Sequence, residues 1–193
     1  MHVYMICELG SNHDLDLQRA KDLIYQARQA GADAAKFQFF RADLMVRSRN
    51  AQEFWQTYKD NELPEEWLPI LANECSKVGL DFLCTAYDQE GALKVEPHTW
   101  AHKIASFEAY SRTYVEFLGR RKKPVILSTG MMRIDDVRDR IALLRAGGST
   151  CAYVLHCVSA YPTPYRDVNL CGSLGPIADI IGWDRTGFSD HTP

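Results

Sequence analysis

Seven short apolar runs rich in β-forming residues recur along the chain: VYMICE (3–8), DAAKFQFF (33–40), DFLCTA (81–86), WAHKIAS (100–106), PVILST (124–129), AYVLHCV (152–158) and TGFSD (186–190). Between most of them lie longer segments with helical spacing. In DLQRAKDLIYQARQAG, Leu17, Ala20, Leu23, Ile24 and Ala27 follow the i, i+3, i+4, i+7 rule, and Gly31 is a natural stop. PEEWLPILANECSKVG repeats the plan, with Pro64 in a first turn, a stripe of Trp67, Ile70 and Leu71, and Gly79 at the end. Ile134, Val137, Ile141 and Leu144 form a third stripe, stopped by Gly147 and Gly148. Near-continuous apolar strands alternating with helices predict parallel strands buried on both faces.

Two architectures satisfy that pattern, an open doubly wound sheet and a (β/α)8 barrel. The placement of polar residues favours the barrel. Nearly every predicted strand ends in reactive or hydrogen-bonding side chains: Glu8, Lys36 and Gln38, Thr85, Lys103 and Ser106, Ser128 and Thr129, His156 and Ser159, then Ser189, Asp190 and His191. An open sheet gathers ligands at one switch point, whereas a barrel draws on the carboxyl ends of all its strands. The expected class is therefore α/β, a TIM (β/α)8-type barrel that is incomplete, with seven of eight strands in a single catalytic domain spanning 1–193.

A net charge of −3 argues against nucleic acid or an anionic membrane surface as partner. No stretch reads as a signal peptide or a bilayer span, and six cysteines without a CxxC pair read as buried free thiols. A cytoplasmic protein is expected.

Lys36 and Lys103 stand inside apolar strands, where an ammonium needs an anion. The plain alternative for either is a snorkelling or salt-bridged lysine. As a pair, joined by Thr85, Ser106, Ser128 and Ser159, they predict a cationic pocket rich in hydroxyl donors, suited to a phosphorylated carboxylate. Glu8 is a candidate for proton transfer or for binding sugar hydroxyls, and alternatively a partner for a lysine. Glu108 is similar but nearer the loop. YPTPY (161–165) predicts a stiff turn that fixes Tyr161. His13, His156 and His191 are lone histidines, and by themselves weak indications of a metal. No Gly-rich phosphate loop and no HExxH motif is present.

The set ICELGSNH, GADAAKFQFF, FLCTAYD, KIAS, PVILSTGM, LHCVSAYPTPYRDVNL and GFSDHT resembles the sialic acid synthase family across essentially the whole chain. The resemblance implies a TIM barrel that joins phosphoenolpyruvate to the open-chain aldehyde of an N-acetylhexosamine, releasing phosphate. It implies a divalent metal, Mn2+ or Mg2+, with His191 as one of two histidine ligands. It places Lys36, Thr85, Lys103, Ser106, Ser128, Ser159 and Ser189 at the phosphoenolpyruvate, Glu8 and Tyr161 toward the sugar, and Glu108 near the phosphate. Another phosphoenolpyruvate-dependent aldol-type barrel synthase, or a non-catalytic anion-binding barrel, are the alternatives. Two local departures stand out: Asp14-Leu15 where relatives have Asn-Gly, and FEAY after KIAS. The resemblance also places the second metal histidine, a sugar-binding acid, the closing strand and a C-terminal antifreeze-like domain past residue 193. In family dimers that domain reaches into the partner's site, so a homo-oligomer is the implied assembly.

Overall fold

The computed structural model describes residues 2–46 and 52–193. They form two compact units, one running to Trp100 and one from Ala101 to Pro193.

The first unit holds β1 (Ile6–Gly10), α1 (Leu17–Gln29), β2 (Ala34–Phe39), α2 (Ala42–Met45), α3 (Gln52–Lys59), α4 (Trp67–Val78), β3 (Asp81–Ala86) and α5 (Gln89–Val95). Its strands are parallel and in chain order, with Glu8 beside Lys36 and Gln38 beside Thr85. Ala34, Ala35, Phe37, Leu83 and Cys84 are buried, as parallel strands covered on both faces require. Asp16 caps α1, its carboxylate accepting from the amides of Gln18 (2.8 Å) and Arg19 (3.1 Å). The buried face of α1 is Ala20, Ile24 and Ala27, as its spacing predicts.

The second unit holds β4 (His102–Ile104), α6 (Arg112–Gly119), β5 (Val125–Ser128), α7 (Ile134–Gly147), β6 (Ala152–His156), α8 (Leu170–Ile181) and β7 (Thr186–Phe188). Its four strands are also parallel and consecutive. Val125, Leu127 and Val154 are fully buried and Ile126 nearly so. Each such side chain contributes about 1.5–3 kcal/mol by leaving water. Helices α6 and α7 cross closely because glycine stands at both contacts. A Cβ on Gly147 would lie 2.6 Å from the carbonyl carbon of Gly119. These strand–helix repeats, seven strands among the described residues, are those of the incomplete (β/α)8-type barrel that the sequence predicts.

Several details differ from the sequence reading. The strands are shorter: β1 begins at Ile6, β4 keeps three residues, and β6 and β7 stop at His156 and Phe188. Apolar character persists past the ladder's last hydrogen bond, so composition overstates strand length. Pro64 precedes α4, where its carbonyl accepts from the amide of Trp67 at 3.0 Å, and lies outside the first turn. The buried stripe of α4 is Leu68, Leu71 and Cys75, with Ile70 exposed. All six cysteines are free, and Cys75, Cys84 and Cys157 are buried, but Cys171 is exposed. Among the described residues no helix is long and apolar enough to cross a membrane.

Candidate functional site

In the first unit the pairing of β1 with β2 sets Glu8 against Lys36, and the two side chains form an ion pair. Lys36 is 7% exposed and its ammonium also donates to the Thr85 hydroxyl at 3.2 Å. The amide of Gln38 reaches Glu8 at 3.4 Å. Glu8 itself remains half-exposed. The result is a buried cation with one hydroxyl and one water-accessible carboxylate, drawn from three neighbouring strands.

The second unit builds a denser cluster. Lys103, in the middle of β4, is also 7% exposed, and its ammonium donates to the Ser128 hydroxyl (2.8 Å) and the Ile104 carbonyl (3.1 Å). Ser106, just past β4, accepts from the amide of Gly130 at 3.0 Å and lies 3.1 Å from the thiol of Cys157. The Ser159 hydroxyl is buried without a hydrogen-bond partner among the described residues. Gly130 is where these side chains meet. A Cβ there would come within 2.4 Å of the Ser159 hydroxyl and 2.9 Å of both the Cys157 sulfur and the Ser106 hydroxyl. Ser106, Ser159 and Cys157 therefore converge on a backbone that only glycine leaves room for, presenting hydroxyl and thiol donors to one small volume.

Glu108 sits in a short 3-10 turn, Glu108–Tyr110, after β4. One of its carboxyl oxygens, Oε2, is buried without a partner among the described residues. Burial raises its pKa above the ordinary carboxylate range, partly opposed by the charge of Lys103.

His191 lies beyond β7. Its Nδ1 donates to the carbonyl of Val158 at 2.7 Å, which leaves Nε2 as the nitrogen with a lone pair. Nε2 faces the Tyr161 hydroxyl at 3.3 Å and that of Ser189 at 3.4 Å. The Tyr161 ring lies 4.3 Å from the imidazole and is largely exposed. A backbone carbonyl on one ring nitrogen is the arrangement that fixes a metal-binding imidazole, so a divalent ion fits His191 as one ligand. Among the described residues no group of three His, Cys, Asp or Glu forms a fuller metal cluster.

Within each unit the predicted residues meet: Glu8, Lys36 and Thr85 in the first, and Lys103 with Ser128, Ser106 with Ser159 around Gly130, and Tyr161 and Ser189 with His191 in the second. His156 belongs to the framework, its Nε2 donating to the carbonyl of Val168 at 2.7 Å. His13 is fully buried, with its Nδ1 accepting from the amide of Leu15 at 3.1 Å. Gly130 and Cys157 are site residues that the sequence reading does not single out, and Gln38 appears in it only as a polar strand-end residue. The ILSTGM motif was the signal for Gly130, because a glycine directly after a strand end often marks a close approach. A cavity of about 620 Å³ in the first unit lies elsewhere, lined by Tyr4, Asp33, Asp81 and Trp100 at the amino ends of the strands. Its two carboxylates give it the wrong sign for an anion.

The NeuB family model matches residues 23–193. The N,N'-diacetyllegionaminic acid synthase of Legionella pneumophila is 36% identical over 209 residues, covering 100% of this chain and 58% of that protein. The spore coat polysaccharide biosynthesis protein SpsE of Bacillus subtilis is 34% identical over 200 residues, covering 98% of this chain and 53% of that protein. Its crystal structure aligns with a TM-score of 0.82. The N-acetylneuraminic acid synthetase of Leptospira borgpetersenii, crystallised in complex with citrate, aligns with a TM-score of 0.90 at 27% identity, covering 100% of this chain and 66% of that one. The chain thus spans little more than half the length of these two curated relatives.

Proposed function

Because the chain belongs to the NeuB family, we propose that it carries catalytic residues of a nonulosonic acid synthase, which condenses phosphoenolpyruvate with the open-chain aldehyde of an N-acetylhexosamine. Its relatives include synthases of legionaminic, pseudaminic and sialic-type acids, so the general kind of reaction is that of the family. The observation that carries the finer reading is Lys103: a buried cation bonded to the Ser128 hydroxyl, at the end of a unit that also offers Ser106, Ser159 and the Gly130 backbone. Such a cluster stabilises a small polyanion in a site with little water. The citrate bound by the Leptospira synthetase, a tricarboxylate, supports an anion site in this fold.

In the proposed reaction, C3 of the enolpyruvate attacks the aldehyde carbon. Water adds at C2, and the resulting tetrahedral centre expels phosphate by C–O cleavage to leave a 2-keto acid. In the second unit Lys103, Ser128, Ser106, Ser159 and Ser189 hold the phosphate and carboxylate of phosphoenolpyruvate; Lys36 and Thr85 make the cationic group of the first unit. Glu8, ion-paired with Lys36, is the group proposed for proton transfer. Glu108, kept toward its protonated form by burial, donates to the departing phosphate. A divalent ion, Mn2+ or Mg2+, held in part by His191 Nε2, would polarise the aldehyde oxygen.

The test is calorimetric titration of the chain with phosphoenolpyruvate, alongside Lys103→Ala. Loss of one hydrogen-bonded charge from an anion site costs about 1.5–3 kcal/mol, so affinity should fall roughly 10- to 100-fold. Equal binding by the folded variant would sink the assignment. Phosphate release on adding Mn2+ and N-acetylmannosamine tests turnover.

A further inference from the structure

Arg140 is a charged side chain that the proposed chemistry does not use. It lies on α7, is 7% exposed, and points away from solvent toward the turn that carries Glu108. Its Nε donates to the carbonyl of Ala109 at 2.7 Å and its Nη2 to that of Tyr110 at 3.1 Å. The third arm of the guanidinium is paired with Asp139, which also pairs with Arg112 at the start of α6. The same turn is tied at its far end, where the Tyr110 hydroxyl donates to the carbonyl of Met131, the residue after Gly130.

A 3-10 turn of three residues has few hydrogen bonds of its own. Two of its carbonyls are here fixed by a planar fork anchored in a helix. A lysine could not reproduce that geometry, because its ammonium is a single point. We propose that Arg140 is a positioning residue: its fork locks the Glu108–Tyr110 turn against α7 and so holds the Glu108 carboxyl in place with its Oε2 buried. The inference rests on the reading of Glu108 as a proton-transfer group and adds what keeps it in that state. Of the charged groups on β4, α6 and α7, those that bear on the turn or on its clamp are Lys103 on β4, Arg112 on α6, and Asp139 and Arg140 on α7. Of these, Lys103 is the one whose field acts on the carboxyl, and it favours the ionised form, opposing burial.

The test is an NMR titration of the glutamate side-chain carboxyls in the 193-residue chain labelled with 13C-glutamate, with Glu108 assigned by its absence in Glu108→Gln. The comparison is between Arg140→Met and the unaltered chain. The two modes of action have opposite signs. An arginine acting through its charge would hold the carboxyl ionised, so its loss would raise the Glu108 midpoint further. An arginine acting by clamping the turn keeps water out, so its loss would let the midpoint fall toward that of an exposed glutamate. A fall is expected, and a rise or no change overturns the proposal. Arg140→Lys, which keeps the charge and loses the fork, should shift in the same direction as Arg140→Met; a midpoint left at its original place in Arg140→Lys also overturns it. Should Arg140→Met fail to fold, Arg140→Lys carries the decision. Phosphate release by Glu108→Gln, with phosphoenolpyruvate, Mn2+ and N-acetylmannosamine, separates the two levels. A shifted midpoint with no effect of Glu108→Gln on phosphate release would leave the clamp standing and remove Glu108 from the chemistry.

Discussion

Gly130→Ala adds one methyl group at the point where Ser159, Cys157 and Ser106 converge, and the geometry divides its cost between stability and binding. The three neighbours lie 2.4, 2.9 and 2.9 Å from the new carbon, all below ordinary contact. Ser159 has no hydrogen bond among the described residues to lose, so its hydroxyl can rotate to another rotamer at a cost of order 1 kcal/mol. Cys157 and Ser106 are engaged with each other and with the Gly130 amide, so they must move as a group. Overpacking of this kind costs typically 1–3 kcal/mol, and the lower half of that range applies because only side-chain tips obstruct. Binding should suffer more. If the two hydroxyls bind the anion as proposed, displacing them removes about 1.5–3 kcal/mol for each lost bond, a weakening of at least roughly tenfold. The assay is denaturant unfolding for stability and calorimetry with phosphoenolpyruvate for affinity. Gly147→Ala is the control: the three atoms nearest its Cβ are backbone atoms of Gly119 and Arg120, none of which can rotate away. It should destabilise by more than Gly130→Ala while leaving the affinity of the folded chain unchanged. A Gly130→Ala variant that unfolds and binds like the unaltered chain would refute the convergence of these side chains on a ligand.

Two further outcomes are expected. Burial holds the pKa of His13 below its ordinary 6.5, so the unfolded chain takes up a proton in a range where the folded chain does not. Its contribution is then intact above pH 6.5 and lost as pH falls from there toward the folded midpoint, with a slope of at most about 1.4 kcal/mol per pH unit. His13→Gln should flatten that part of a stability–pH curve, and an unchanged curve would show that another group carries the acid dependence. His191→Ala should weaken Mn2+ binding, followed by electron paramagnetic resonance of the free ion, by at least the roughly tenfold that loss of an outer-shell partner costs elsewhere. Equal manganese affinity would remove His191 from the metal.

The strands were legible because a parallel strand covered on both faces must be apolar along its length, and Phe37, Leu83, Leu127 and Val154 are. The two lysines were legible for the converse reason: a charge within such a run is conspicuous. Strand ends were not, since Cys157 and Val158 are as apolar as the ladder residues before them yet lie past its last pair. The stripe on α4 was misread because Trp67, Ile70 and Leu71 and, beside them, Leu68, Leu71 and Cys75 are two overlapping rows with helical spacing, and packing buries the second. Cys157 was expected to be buried, and is, but its contact with Ser106 joins residues 51 apart in the chain. Arg140 reads from sequence as one more polar residue of an amphipathic helix. What it binds is a pair of carbonyls, groups that every residue possesses and that no pattern marks.

The close crossing of α6 and α7 bears on how a systematic substitution scan of this chain would read. A scan read by activity alone would mark Gly119, Gly147, Gly130 and Lys103 as sensitive together. Ranked by intolerance alone, the four positions would look alike. What separates them is the content of their surroundings. At residues 119 and 147 the neighbour is the main chain of the opposite helix, and a substitution there reduces how much protein folds. At residues 103 and 130 the neighbours are hydroxyls and a thiol, and a substitution there changes what the folded protein holds. A scan scored for abundance and for ligand binding in parallel would therefore sort the helix contact from the anion cluster without further structural work.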